Sequence, residues 1–174
     1  INKLKNLENK FNVVFEIKEL PNSKESFKKI VQDKVYQLNK KKIKNRLNEE
    51  FIEIFENLIN LKKNRYLLAS LTINNETIST CLGIVSKNIF YYYIPMIISK
   101  NYNNFKPGKI LMLKILDWCT KNQIEYFDFG LGDEKYKENF SNKLIPLHRY
   151  ITYKSFLGRM LVFLMKIIFF KKKF

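Results

Sequence analysis

Two stretches of this chain carry residue types whose spacing suits chemistry. The first is Lys106-Pro107-Gly108-Lys109-Ile110, which follows a strand-like run and opens a stretch of helical period. A helix start presents backbone N–H groups and the positive end of the dipole, so it attracts phosphate. Pro107 pre-sets the first helical turn, Gly108 lets a bulky anion approach the backbone, and Lys106 and Lys109 add positive charge. The second stretch is Phe127-Asp128-Phe129-Gly130-Leu131-Gly132-Asp133-Glu134-Lys135-Tyr136-Lys137. It gathers carboxylates, two glycines, a tyrosine and a lysine beyond the carboxyl end of a predicted strand, where open sheets place ligands. Each stretch also has a plainer structural reading. Pro-Gly before a helix makes a turn, and Asp133 can cap the helix that follows it.

The elements that must position these residues follow from changes of hydrophobic period. Tyr66–Ile73, Thr77–Val85 and Ile89–Ile97 read as three strands, joined by Asn74-Asn75 and Ser86-Lys87-Asn88 turns into an antiparallel meander. Pro95 predicts that the third strand stops, bulges or splays near its end. Ile110, Leu111, Leu113, Ile115, Trp118 and Cys119 give a helix, which Asn122-Gln123 closes before a strand over Ile124–Phe129. Strand, loop, helix, strand implies a right-handed crossover and parallel placement of the two strands. Upstream, Phe11–Ile17 reads as a strand broken by Pro21-Asn22-Ser23. A helix with Phe27, Ile30, Val31, Val35 and Leu38 on one face comes next, capped from Ser23 or Ser26. A second helix starts at Asn48 as its cap, with Phe51, Ile54, Phe55, Leu58, Ile59 and Leu61 along one side. Downstream are a short helix through Tyr136, Lys137 and Phe140, a strand from His148 to Tyr153, and an apolar helix over Leu157–Phe170 ending in Lys171-Lys172-Lys173.

Composition narrows the function classes. The chain has 174 residues, 46% hydrophobic and 15% aromatic, which suits one folded domain with a short appendage and excludes a disordered or coiled-coil chain. Cys81, Cys119 and the single His148 show no metal-ligand spacing and no close Cys-His pair, so no metal is expected. His148 reads as a structural or surface residue. The net charge is +16, yet only Arg46, Arg65, Arg149 and Arg159 among 32 basic residues are arginine. Lysines scattered over every segment read as solvated faces rather than a dedicated nucleic-acid surface, with a weak pull on anionic lipid, nucleic acid or CoA phosphates as the alternative. No apolar run reaches the roughly 20 residues that a membrane-spanning helix needs.

Taken together, the meander, the phosphate-type loop opening a helix and the 127–137 segment resemble the GNAT-fold acyltransferase domain of CelD-type proteins. These act in bacterial cellulose, capsule and other polysaccharide pathways and are distantly similar to Fem-type aminoacyl transferases. The resemblance runs from about Asn48 to Tyr153 and rests on Pro107-Gly108, on Asp128 with Gly130, Gly132 and Asp133, and on Tyr136-Lys137. The chain departs from the general pattern by keeping only Gly108 of the glycine-rich loop, and by carrying Phe140 where a tryptophan is expected. The fold class it implies is α+β: a GNAT-like mixed, mostly antiparallel splayed sheet flanked by helices. Such proteins often have two GNAT-like halves. That implies residues 1–47 as a strand and helix region left from an upstream half, 48–155 as the GNAT-like core, and 156–174 as an apolar helix with a basic tail.

The resemblance also implies roles. Acetyl-CoA or another acyl-CoA would be held around Lys106, Pro107, Gly108, Lys109 and Ile110, with its pantetheine arm along Tyr93–Ile97. Tyr136 would protonate the departing thiolate, and Asp128, Asp133 or Glu134 would act as base or bind an amino sugar. Gly130, Gly132 and Lys137 would bind the acceptor, with an ion pair to Asp133 or Asp128 as the plainer role for Lys137. The implied function is acyl transfer to an amino or hydroxyl group of a sugar or cell-envelope precursor in the bacterial cytoplasm. A Fem-like enzyme using aminoacyl-tRNA and a non-catalytic GNAT-like binding module are the alternatives. The last helix has two open placements: packing on the sheet or against another domain, which is preferred, or lying at the inner membrane face against anionic headgroups.

Overall fold

The computed structural model describes residues 2–20, 24–40, 42, 47–60, 63–132, 134–148 and 152–171. It divides into two compact units, Ile1–Gly132 and Asp133–Phe174.

The first unit is built on a five-stranded sheet in the order β1 (Val13–Glu19), β2 (Arg65–Ile73), β3 (Glu76–Ser86), β4 (Ile89–Ile97) and β5 (Tyr126–Asp128). The first four strands pair antiparallel and β5 lies parallel to β4. Local chemistry sets the turns. Asn74 and Asn75 both take positive φ, 47° and 67°, as a two-residue hairpin turn of matching twist requires. The predicted mixed, mostly antiparallel sheet flanked by helices is the fold observed. Residues before position 48 contribute to it: β1 pairs with β2 from Val13↔Ile73 to Glu19↔Leu67.

On one face pack α2 (Lys24–Lys40) and α3 (Glu49–Asn60). Asn48 caps α3 as expected, its Oδ1 accepting the Phe51 N–H at 3.0 Å. Phe27, Ile30, Val31, Ile52, Phe55 and Ile59 close over Tyr66, Leu82, Ile94 and Met96 of the sheet. Phe55 is the hub of this core, stacked on Phe27 at 4.3 Å and on Tyr93 at 5.4 Å and edge-on to Tyr66. α4 (Pro107–Lys121) lies on the opposite face, with Ile110, Leu111, Met112, Ile115 and Cys119 buried. Trp118 of α4 meets Phe90 of β4. α1 (Asn2–Glu8) and a 3-10 turn at Asn103–Phe105 also belong to this unit.

The bulge expected from Pro95 falls two residues earlier. Leu82 pairs with Ile94 but Gly83 pairs with Tyr92, so Tyr93 is the extra residue. Phe90 and Tyr92 both meet Phe127, whereas Ile94 and Met96 join the α2–α3 core, so the alternation of faces reverses across the bulge. β4 runs on through Pro95 to Ile97, but β5 pairs with it only at Ile89, Phe90 and Tyr91. β5 ends at Asp128, opposite Tyr91, so the strand pairing extends no further along β4.

The second unit contains α5 (Lys135–Glu138) and α6 (Phe156–Lys171). Phe140 follows α5 in a turn instead of belonging to it. His148, Thr152 and Tyr153 are irregular; residues 149–151 of the expected last strand lie outside the described residues. Phe156, Leu157, Met160, Leu161, Phe163, Leu164 and Met165 are exposed.

Candidate active site

The end of β4 and the start of α4 lie side by side. A Cβ added at Gly108 would touch Ile97 Cδ1 and Cγ1, both at 3.7 Å, so Gly108 and Ile97 sit side by side. Pro107 stands at the first turn of α4, as read from the sequence, with its carbonyl reached by the buried Ser79 hydroxyl of β3 at 3.4 Å. Lys106 takes a left-handed conformation at φ 57°, which turns the chain from the 3-10 turn into α4. The loop is braced from the N-terminal region: Phe11 packs edge-on against Tyr102 and Phe105, and Glu8 pairs with Lys114 at 2.9 Å. Sequence reasoning missed Ser79, Phe11 and Glu8, because none of them belongs to a motif and each lies far along the chain from what it supports.

The amide inventory of this loop is specific. Lys106 N–H donates to Asn103 O at 2.9 Å, while Lys109 and Ile110 N–H both donate to Lys106 O, at 3.0 and 3.2 Å. Pro107 has no N–H. Gly108 therefore supplies the amide that no acceptor among the described residues takes up, at the positive end of a 15-residue helix.

The edge of β4 has its own partners. Lys34 Nζ donates to Pro95 O at 2.5 Å and Gln37 Nε2 donates to Ile97 O at 2.7 Å, both from α2. Those carbonyls consequently point away from β3, and so does the Ile97 N–H, since both polar groups of a strand residue share one edge. Lys34 and Gln37 carried no signal in the sequence beyond being polar positions on an amphipathic helix. Tyr93, at the bulge, has its phenol pKa pushed up by burial.

The 127–132 segment is a shaped turn. Asp128 Oδ1 accepts the Gly130 N–H at 2.7 Å, and Gly130 and Gly132 take φ of 71° and 123°, values that favour glycine. One oxygen of the candidate base is thus committed to loop geometry. Asp133 lies outside the described residues.

Within the second unit, Tyr136 and Lys137 lie on α5. Tyr136 is partly exposed, at 39%, and Lys137 is buried. Lys137 pairs with Glu134 at 2.7 Å, a carboxylate not singled out for it from sequence. The Lys137 hydrogen bond holds the Glu134 carboxyl below its ordinary value. A lowered folded pKa makes this pair stabilise the unit above the ordinary value of 4.5, an effect lost as pH falls through the lower folded one. Carboxyl titration by NMR is expected to find Glu134 shifted down in the native chain and restored in Lys137→Met. An unshifted Glu134 would remove the pair from solution.

His148 is exposed. Cys81 and Cys119 are buried free thiols, and burial pushes Cys119 up to about 12 and Cys81 higher still, so neither is an activated nucleophile. Among the described residues, no group of three or more His, Cys, Asp or Glu side chains is arranged to hold a metal ion.

Known proteins share the family and the fold. The acetyltransferase (GNAT) domain family matches residues 2–138. No curated protein matches the sequence. Among solved structures, an aminoglycoside acetyltransferase from an uncultured soil metagenomic sample, in complex with sisomicin, is 17% identical. That match covers 80% of this chain and 97% of the other at a TM-score of 0.50. A predicted acetyltransferase from Clostridium acetobutylicum, solved with acetyl-CoA, is 10% identical over 79% of this chain and 96% of its own, also at 0.50. An acetyltransferase of the GNAT family from Staphylococcus aureus is 20% identical over 73% and 80%, at 0.45. At these identities the likeness is one of fold, and the family follows from the sequence match: this chain belongs to the GNAT acetyltransferases, enzymes that transfer an acyl group from acyl-CoA.

Proposed function

We propose that this GNAT enzyme acylates an amino or hydroxyl group of a sugar or cell-envelope precursor, as the CelD-like branch of the family does. The observation that carries the carrier site is the side-by-side placement of Gly108 and Ile97, which brings a phosphate-type helix start to the end of β4. The CoA diphosphate takes the Gly108 N–H, the α4 dipole and the Lys106 and Lys109 ammonium groups. The pantetheine arm runs along β4 toward the bulge at Tyr93, pairing with the outward Ile97 N–H. Its amides then take the place of Gln37 and Lys34 on the Ile97 and Pro95 carbonyls. The acceptor class rests on the resemblance of the 127–137 segment, which assigns acceptor contacts to Gly130, Gly132 and Lys137.

In the reaction the acceptor lone pair forms a bond to the thioester carbonyl carbon, the C–S bond breaks, and the acceptor proton passes to Asp128 or Asp133. The thiolate leaves with a proton that the resemblance assigns to the Tyr136 phenol. A phenol of pKa about 10 protonating a thiolate of pKa about 8.5 is uphill by about 2 kcal/mol, which the site must offset. Tyr136→Phe is accordingly expected to lower kcat about a hundredfold with KM for acetyl-CoA little changed. An unchanged kcat would return the proton to water.

The test is a thiol-release assay with acetyl-CoA and a panel of amino sugars, nucleotide-linked sugars, aminoglycosides and simple amines. Release that saturates with a sugar acceptor supports the proposal. Acetyl-CoA binding with turnover only on non-sugar amines would overturn the acceptor class. Salt-sensitive binding of aminoacyl-tRNA in place of acetyl-CoA would make the chain Fem-like.

A further inference from the structure

The second unit carries a surface that acyl transfer does not use. α6 is 16 residues long and shows seven large apolar side chains, Phe156, Leu157, Met160, Leu161, Phe163, Leu164 and Met165, each at least 38% exposed. Leu144, Ile145 and Leu147, in the segment before it, are exposed as well. Single exposed leucines are ordinary on protein surfaces, but a consecutive run on one helix is not. From Asn139 to the last residue there is no aspartate or glutamate, against the cations Lys143, Arg149, Lys154, Arg159, Lys166, Lys171, Lys172 and Lys173. Within α6 the only charged residues in sequence before Lys171 are Arg159 and Lys166. The helix sequence is therefore apolar apart from these two cations and its basic end.

We infer that α6 docks onto an anionic lipid bilayer, lying in the plane of the interface. Its length, about 24 Å at 1.5 Å per residue, falls short of a hydrocarbon core of about 30 Å. Among the described residues no helix is long and apolar enough to cross a membrane. Charge selects lipid over a second copy of the chain. Pairing α6 with its own copy would set cations against cations, with no acidic residue after Glu138 to oppose them. Anionic headgroups supply that countercharge, while the acyl boundary takes the apolar face. An enzyme held there would meet lipid-linked acceptors at the surface where they reside.

Flotation of the full chain with phosphatidylcholine vesicles, with and without phosphatidylglycerol, tests this docking. Co-flotation is expected only with phosphatidylglycerol and is expected to fade as salt screens the headgroups. Phe163→Asp is expected to weaken binding about tenfold or more, and so is reversal of Lys171, Lys172 and Lys173 to Glu, which keeps the question open to test if Phe163→Asp misfolds. Unchanged melting curves would show that the variants are folded. Equal flotation with neutral vesicles, or none with either, would overturn the docking. So would a dimer in solution that Phe163→Asp dissociates, because α6 would then be covered by its own copy. The readout needs no CoA, so it fails or succeeds independently of the acyltransferase assignment.

Discussion

Gly108→Glu is expected to leave the chain folded and to remove acetyl-CoA binding in isothermal titration. The folded state has room for the side chain. The nearest atoms to an added Cβ are Ile97 Cδ1 and Cγ1 at 3.7 Å, an ordinary contact, and Gly108 does not take a positive φ. A carboxylate in the first turn of a helix even gains slightly from the dipole. The same carboxylate would occupy the place proposed for the CoA diphosphate. Two like charges about 4 Å apart at an effective dielectric near 20 repel by about 4 kcal/mol, roughly a thousandfold in affinity. Gly108→Ala adds bulk without charge and is expected to bind within a few-fold of the parent. Matching melting curves with binding lost only in Gly108→Glu would fix the diphosphate at α4. Retained binding in Gly108→Glu would move the carrier elsewhere.

What the sequence showed and what it hid divide by the range of the interactions. Period and punctuation are local, so the meander, the Asn74-Asn75 turn, the Asn48 cap and the Pro107 start of α4 were readable from a few adjacent residues. Pro95 signalled an irregular third strand, but the extra residue is Tyr93. The bulge is set by where Tyr93 can stack on Phe55 while Tyr92 meets Phe127, a matter of partners far along the chain. The site shows the same division. Gly108 and Ile97 were named separately for phosphate and pantetheine, and the fold puts them in contact. Ser79, Lys34 and Gln37 reach the same region through single side chains, and no periodicity marks such residues. Lys137 pairs with Glu134 through the i, i+3 spacing of a short helix, a local contact that the sequence reading had not singled out.

Gly83→Ala is expected to be the most destabilising single-methyl change in the first unit. Gly83 lies inside β3, where a glycine hints at close approach of another group, though its sequence does not name that group. The structure names Phe90. A Cβ at Gly83 would fall against its ring, with Cε2 at 2.8 Å and Cε1 at 2.9 Å. The ring is fully buried, stacked on Phe127 at 5.3 Å and edge-on to Trp118 at 6.3 Å, so it has nowhere to retreat. Overpacking of this kind costs about 3 kcal/mol, or a fall of roughly 10 °C in Tm for a chain of this length. A smaller ring-site residue tests the cause. Phe90→Leu alone leaves a void, yet in combination with Gly83→Ala the void receives the new methyl. The double variant is therefore expected to be more stable than the sum of the two losses predicts, by about 1 kcal/mol or more. Strict additivity would mean that Gly83 is there for another reason. Coupling would show that the place taken by the Phe90 ring is what keeps a side chain out of position 83.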